Sequence, residues 1–270
     1  DRSITASDHA VKANSIDQLG PFPRRFNPRP PGFFEWWFDA PNQVAYAQPT
    51  AIGPPVMTVP DAFLDIVLAG LAAGRQPLPP PGPGGRQLLD AMVALGVRIE
   101  AVDASPLVTG AGNGCLLQPA GTLEFVDANA ALVIAGLVAP YDMAARIVCA
   151  SAFPGADVSA FLSAATAMGI QADLADETTI VLAGQASAVP ARHDCSGWSS
   201  TVMAAIALAA LNTPGITRLE GVDEGARPTA LAAQLGAFGA HCQIDDRGGG
   251  WSLAITGRCL MRGAEAEGGP

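Results

Sequence analysis

Three times along this chain a helical pattern closes on the same Ala-x-Gly phrase: Ala94-Leu95-Gly96, Ala167-Met168-Gly169 and Ala237-Phe238-Gly239. The phrases lie 73 and 70 residues apart, from 94 to 167 and from 167 to 237. That period exceeds the roughly 20–50 residues of a solenoid unit. It is the size of a complete α/β module, so the chain reads as three copies of one unit.

Each module opens with an Ala-rich helix that is small or aliphatic on nearly every face: Ala62 to Ala73, Ala128 to Val138, and Ser200 to Leu211. A helix apolar all round belongs in an interior. The phrases Ala69-Gly70-Leu71, Ala135-Gly136-Leu137 and Ala209-Ala210-Leu211 allow close backbone approach. Second helices are predicted over Gly85–Leu95, Asp157–Met168 and Pro228–Phe238. Pro228 suits a first helical position, and each closing glycine suits a left-handed C-cap. Strands fill the gaps at Arg98–Val102, Leu123–Val126, Arg146–Ala150, Thr178–Ala183, Thr217–Val222, His241–Asp245 and Trp251–Thr256. The expected fold is α/β (α+β), three repeated βαβαβ-type modules with inward helices and outward sheets. The modules span about 52–112, 113–185 and 186–261.

Residues 1–51 read as an N-terminal arm. Pro21-Phe22-Pro23 and Pro28-Arg29-Pro30-Pro31 preclude long helices, and Phe33-Phe34-Glu35-Trp36-Trp37-Phe38 is a dense aromatic cluster. It is expected to staple the arm to the body or to meet a partner. Residues 262–270 form a polar, Gly-rich tail, expected to be flexible. Pro79-Pro80-Pro81-Gly82-Pro83-Gly84-Gly85 reads as stiff exposed chain and a candidate interaction edge.

Composition narrows the function. With 49% hydrophobic and 15% charged residues the chain can build a large core. Its net charge of -10, with Lys12 the only lysine, excludes nucleic acid as a natural partner. Any anionic ligand must rely on arginine, hydroxyls or helix N-termini. The five cysteines show no Cys-x-x-Cys spacing, so reduced thiols in a cytoplasmic setting are expected, without a metal site or cofactor. No membrane span or cleavable leader is visible. The chain opens on Asp1 and not Met, which leaves a preceding segment open.

Phe63-Leu64-Asp65-Ile66-Val67-Leu68-Ala69-Gly70-Leu71-Ala72-Ala73-Gly74 and Leu89-Asp90-Ala91-Met92-Val93-Ala94-Leu95-Gly96-Val97 resemble the two helices of a module of the enolpyruvyl transferase family. Ser196-Gly197-Trp198-Ser199-Ser200-Thr201 resembles the Ser-Ser-Gln turn with which that family grips a substrate phosphate. Gly221-Val222-Asp223-Glu224-Gly225-Ala226-Arg227-Pro228 resembles its strand and basic-Pro turn. The resemblance covers about residues 52–258. It implies one three-module lobe of a two-lobe enzyme whose substrates bind between the lobes.

The departures carry as much information. The family's Asp-Lys-Ser turn and following Arg, which hold phosphate and phosphoenolpyruvate, fall here on Val59-Pro60-Asp61-Ala62-Phe63-Leu64. Its Gly-Asn-Ser/Ala-Gly-Thr turn and Arg fall on Val126-Asp127-Ala128-Asn129-Ala130-Ala131-Leu132-Val133, and its Arg-Pro turn on Ala156-Asp157. Carboxylates or apolar groups stand where the family places cations. Each lost charge-assisted contact costs about 1.5–3 kcal/mol, so three or more leave the family reaction poorly supported.

The candidate substrate-binding residues are therefore Ser199, Ser200 and Thr201 at a helix start, with Arg227, Asp127 and Asn129. The same residues also suit plain capping. Arg192-His193-Asp194-Cys195 is the one tight titratable cluster with a potential nucleophile. His193 and Cys195 would share one side of a strand and Asp194 the other, making His193 and Cys195 candidate catalytic groups. Arg247-Gly248-Gly249-Gly250 reads as a hairpin turn, not a nucleotide loop.

Three functions follow. The first is a divergent transferase of this family, moving an enolpyruvyl or related group to a small anionic cyclic substrate. The second is a non-catalytic relative acting as a ligand-binding or interaction scaffold. The third is a repurposed enzyme using His193 and Cys195. In the first two, a homodimer or a partner chain would cover the open face of the lobe.

Overall fold

The strand pairing carries the architecture. The computed structural model describes residues 59–102, 105–184, 188–223, 228–246 and 250–263, all within the unit Val56–Pro270 of the chain. The arm with Phe33–Phe38, Arg227, Arg247–Gly249 and the tail from residue 264 lie outside the described residues.

Three sheets are described. The first holds β1 (Arg75–Pro77), β2 (Arg98–Val102) and β3 (Ser105–Thr109) in the order β1-β3-β2, all antiparallel. The second holds β4 (Leu123–Phe125), β5 (Ala145–Cys149), β6 (Ala172–Asp176) and β7 (Thr179–Leu182) in the order β4-β5-β7-β6. The third holds β8 (Arg192–Asp194), β9 (Ile216–Val222), β10 (His241–Asp246) and β11 (Trp251–Thr256) in the order β8-β9-β11-β10. The last two share one connectivity: a parallel first pair, β4 with β5 or β8 with β9, then two antiparallel pairs. A parallel pair needs a crossover, and a helix supplies it in both. The pairs described in the first sheet are both antiparallel.

The helices are α1 (Val59–Leu71), α2 (Pro83–Ala94), α3 (Ala128–Val138), α4 (Gly155–Ala167), α5 (Ser200–Asn212) and α6 (Pro228–Ala237). Helix α1 and the crossover helices α3 and α5 pack on one another. All residues of α3 from Ala130 and of α5 from Thr201 to Leu211 are buried, as an apolar circumference requires. The second helices continue the pattern in rotation: α2 reaches α3, α4 reaches α5, and α6 reaches α1.

The Ala-x-Gly phrases tie the ends of α2, α4 and α6 to the chain beyond them. The carbonyls of Leu95, Met168 and Phe238 accept backbone N–H bonds from Leu117, Val189 and Arg262 respectively. The following glycines, Gly96, Gly169 and Gly239, have φ of 92°, 73° and 80°, the left-handed turn that frees those carbonyls. The chain after β11 returns to the end of α1, where Met261 accepts from the backbone of Ala73 and Gly263 donates to it. Gly136 lets α3 and α5 meet, because a Cβ there would collide with the backbone of Ala205.

All six helices fall within a few residues of expectation, with α3 over the predicted range. The Pro-rich edge is the main correction. Pro83, Gly84 and Gly85 form the first turn of α2, with Pro83 at a position where its missing N–H is harmless. Strands β1, β3, β6 and β8 are additional to the predicted set, although the sequence implies an extended course through His193 and Cys195. Among the described residues no helix is long and apolar enough to cross a membrane.

Candidate functional site

Two helix starts meet on one end of the inner bundle. At α3, Asp127 is the extended N-cap residue, and its Oδ1 accepts from the backbone N–H of Asn129 at 2.8 Å. At α5, Ser199 does the same duty, its Oγ accepting from the N–H of Val202 at 3.3 Å. Both side chains satisfy orphan N–H groups of their helices. The link between them is direct: Thr201 donates its Oγ1 hydrogen to Oδ1 of Asn129 at 3.0 Å. Four of the predicted binding residues are thereby fixed together, while Ser200 sits on the first turn of α5, partly exposed.

A cavity of about 490 Å³ opens beside Asp127, lined by Gly84, Gln87, Val126, Asp127 and Ala128. Oδ2 of Asp127 lies 3.4 Å from where a Cβ on Gly84 would stand, and that Cβ would press on the Phe63 ring at 2.8 Å. A side chain at 84 would therefore crowd the Phe63 ring at the edge of the recess. Oε1 of Gln87 accepts from the backbone N–H of Val126 at 2.9 Å and pins the turn into α3. Val126 itself is 67% exposed. Among the described lining residues there is no arginine or lysine. Gly84 and Gln87 escaped the sequence reading because their partners lie about 40 residues away, beyond any local pattern.

His193 and Cys195 are both buried and Asp194 is exposed, the alternation expected of a strand. Their surroundings are apolar. The His193 ring lies 5.9 Å from that of Trp198, tilted by 44°, and its Nε2 is buried without a hydrogen-bond partner. Burial holds its pKa below the ordinary 6.5. The Cys195 thiol points at the carbonyl of His193, 3.7 Å away, and burial pushes its pKa up to about 12. A thiol so placed stays protonated and is a poor nucleophile. Asp194 does not orient the imidazole. Its Oδ1 accepts from the hydroxyl and the N–H of Ser196, which hold its carboxyl below the usual range. Arg227 lies outside the described residues. No group of three or more His, Cys, Asp or Glu among the described residues could hold a metal ion.

No family model matches the chain. Curated relatives do. The 3-phosphoshikimate 1-carboxyvinyltransferase of Chelativorans sp. (strain BNC1) is 32% identical over 179 residues, which cover 64% of this chain and 39% of the relative. That of Mesorhizobium japonicum is 34% identical over 164 residues, covering 58% and 36%. The chain thus spans about two fifths of the length of the relatives it matches. Among solved structures, EPSP synthase of Acinetobacter baumannii superposes with a TM-score of 0.63 at 18% identity, over 76% of this chain and 46% of that one. The enolpyruvyl transferase NikO of Streptomyces tendae gives 0.55 at 16%, over 76% and 48%. The solved structures share the fold of this chain, and the curated relatives are similar to it in sequence over the matched stretch, so the chain resembles enolpyruvyl transferases there.

Proposed function

We propose that this chain is a divergent lobe of the enolpyruvyl transferase type, which binds a small anionic cyclic substrate where α3 and α5 begin. The observation that carries this reading is the Thr201–Asn129 hydrogen bond. It fixes the two helix starts side by side and presents the first turn of α5, with Ser200, to an incoming anion. Arg227 would add a cation. The relatives' name, 3-phosphoshikimate 1-carboxyvinyltransferase, supplies the chemistry: transfer of an enolpyruvyl or related group to that substrate. A second copy or a partner chain would cover the open face and complete the site. The five free cysteines support a reducing, cytoplasmic setting.

Isothermal calorimetry with shikimate and with shikimate 3-phosphate tests the reading. Saturable heat is expected with at least one ring acid, weakened about tenfold in Ser200→Ala by loss of one hydrogen bond to a charged group. Absence of heat with both, together with an unshifted melting temperature, would overturn it.

That outcome would favour the second reading, a non-catalytic scaffold. Its supporting observation is Asp127, a carboxylate already seated at the start of α3 where the family keeps an uncharged turn. The third reading, chemistry through His193 and Cys195, is disfavoured by their burial and by the raised pKa of the Cys195 thiol.

A further inference from the structure

The recess beside Asp127 differs from the start of α5 in what it offers a ligand. Asp127 spends one carboxylate oxygen on Asn129. The other, Oδ2, stands at the cavity wall, 3.4 Å from where a Cβ on Gly84 would lie. Gln87 spends its Oε1 on Val126, so its amide NH2, two donors, is the group left to face a ligand. The remaining lining is Val126 and Ala128, both apolar. An acceptor-only carboxylate beside an amide donor is the set that recognises hydroxyl groups. Each hydroxyl can donate to Asp127 and accept from Gln87. The same carboxylate repels a second anion, and no arginine or lysine among the described lining residues offsets it.

The start of α5 differs in its cap, a neutral hydroxyl with no carboxylate in its first turn. Asp194 and Asp223 accept hydrogen bonds from Ser196 and Gly197 in the turn before it. Asp127 is two residues from Asn129, whose amide oxygen meets Thr201. The Cα atoms of these two residues lie at most about 7 Å apart, the scale of one substituted six-membered ring.

The geometry points to a substrate with a single anionic group, held at the start of α5, and an uncharged edge of vicinal hydroxyls turned toward Asp127 and Gln87. Asp127 is the specificity-determining residue that rejects a second anion. This rests on the binding reading given under Proposed function and narrows its substrate class from anionic rings in general to monoanionic polyhydroxylated rings.

The test is a pairwise titration of the full chain with shikimate, which carries one carboxylate and three hydroxyls, and with shikimate 3-phosphate, which adds a second anion. The native protein is expected to bind shikimate about tenfold more tightly. Asp127→Asn should remove that preference or reverse it. The variant keeps an N-cap of equal quality, so it should melt where the native protein does. Gln87→Glu retains the acceptor for Val126 but removes the two donors, and is expected to weaken shikimate about tenfold.

Tighter binding of the phosphate ester by the native protein would overturn the inference and leave the binding reading standing. So would a shikimate preference unaltered in Asp127→Asn. Binding of neither ring would overturn both.

Discussion

The starts of α3 and α5 do the same structural work with opposite electrostatics. Both helices are buried from the second or third residue onward, both emerge from a parallel β–α–β crossover, and both need a side chain to cap free N–H groups. Ser199 does this with a neutral hydroxyl and leaves the positive end of α5 available to an anion. Asp127 does it with a carboxylate and fills the positive end of α3 with its own charge. Fold and ligand preference are thus separable. The fold asks only that an oxygen accept the hydrogen bond, while the ligand senses which oxygen was used.

The largest effect should come from the contact that makes the two helices comparable at all. Gly136→Leu would drive a side chain into the Ala205 backbone. A loss of about 3 kcal/mol or more is expected by urea denaturation, since the backbones cannot separate without opening the core. A near-neutral result would mean that α3 and α5 are not in close contact.

Next come the caps. Asp127→Ala and Ser199→Ala should each cost about 1 kcal/mol. Asp127→Asn should cost only a few tenths of about 1 kcal/mol, because Asn caps equally well. If the Asn variant lost as much stability as the Ala variant, the charge and not the hydrogen bond would be holding α3.

A smaller effect is expected from His193. Its folded-state pKa is held below 6.5 by burial, so the folded protein binds fewer protons there than the unfolded chain. The resulting stability is fully present above about pH 6.5 and is lost as pH falls through 6.5 toward the depressed folded value. Melting temperature should therefore decline from pH 7 to pH 5, and His193→Leu should flatten that slope. Asp176 and Asp194, whose carboxyls are lowered by hydrogen bonds, act in a separate window below 3.8.

The smallest effect, on function, should come from the thiols. Cys115 is exposed and Cys195 is buried with a thiol pKa near 12. A thiol reagent at pH 8 should label Cys115 first and Cys195 at least about 100-fold more slowly. Fast labelling of Cys195 in the folded protein would restore the nucleophile reading.

How much of this was legible in the sequence depends on the element. The buried helices were plain because an Ala-rich circumference has one physical explanation, and the closing glycines were plain because left-handed turns favour glycine. Strand β1 is three residues ending in Pro77, β3 starts at Ser105-Pro106, and β6 reads Ala-Asp-Leu-Ala-Asp. None carries the β-branched run that marks a strand. The fold makes them strands through pairing with β3, β2 or β7. At the site, Ser199 and Asp127 were visible as helix-start residues with capping as one of their two meanings. The Thr201–Asn129 bond and the Gln87 brace were not, because both span separations that only the tertiary packing closes.

The separation of the two helix starts is best tested by amide chemical shifts during titration with inorganic phosphate. The N–H signals of Ser200 and Thr201 should move in a saturable way, while that of Asn129, already bonded to Asp127, should stay in place. Saturable movement of Asn129 equal to or larger than that of Ser200 and Thr201 would contradict the account.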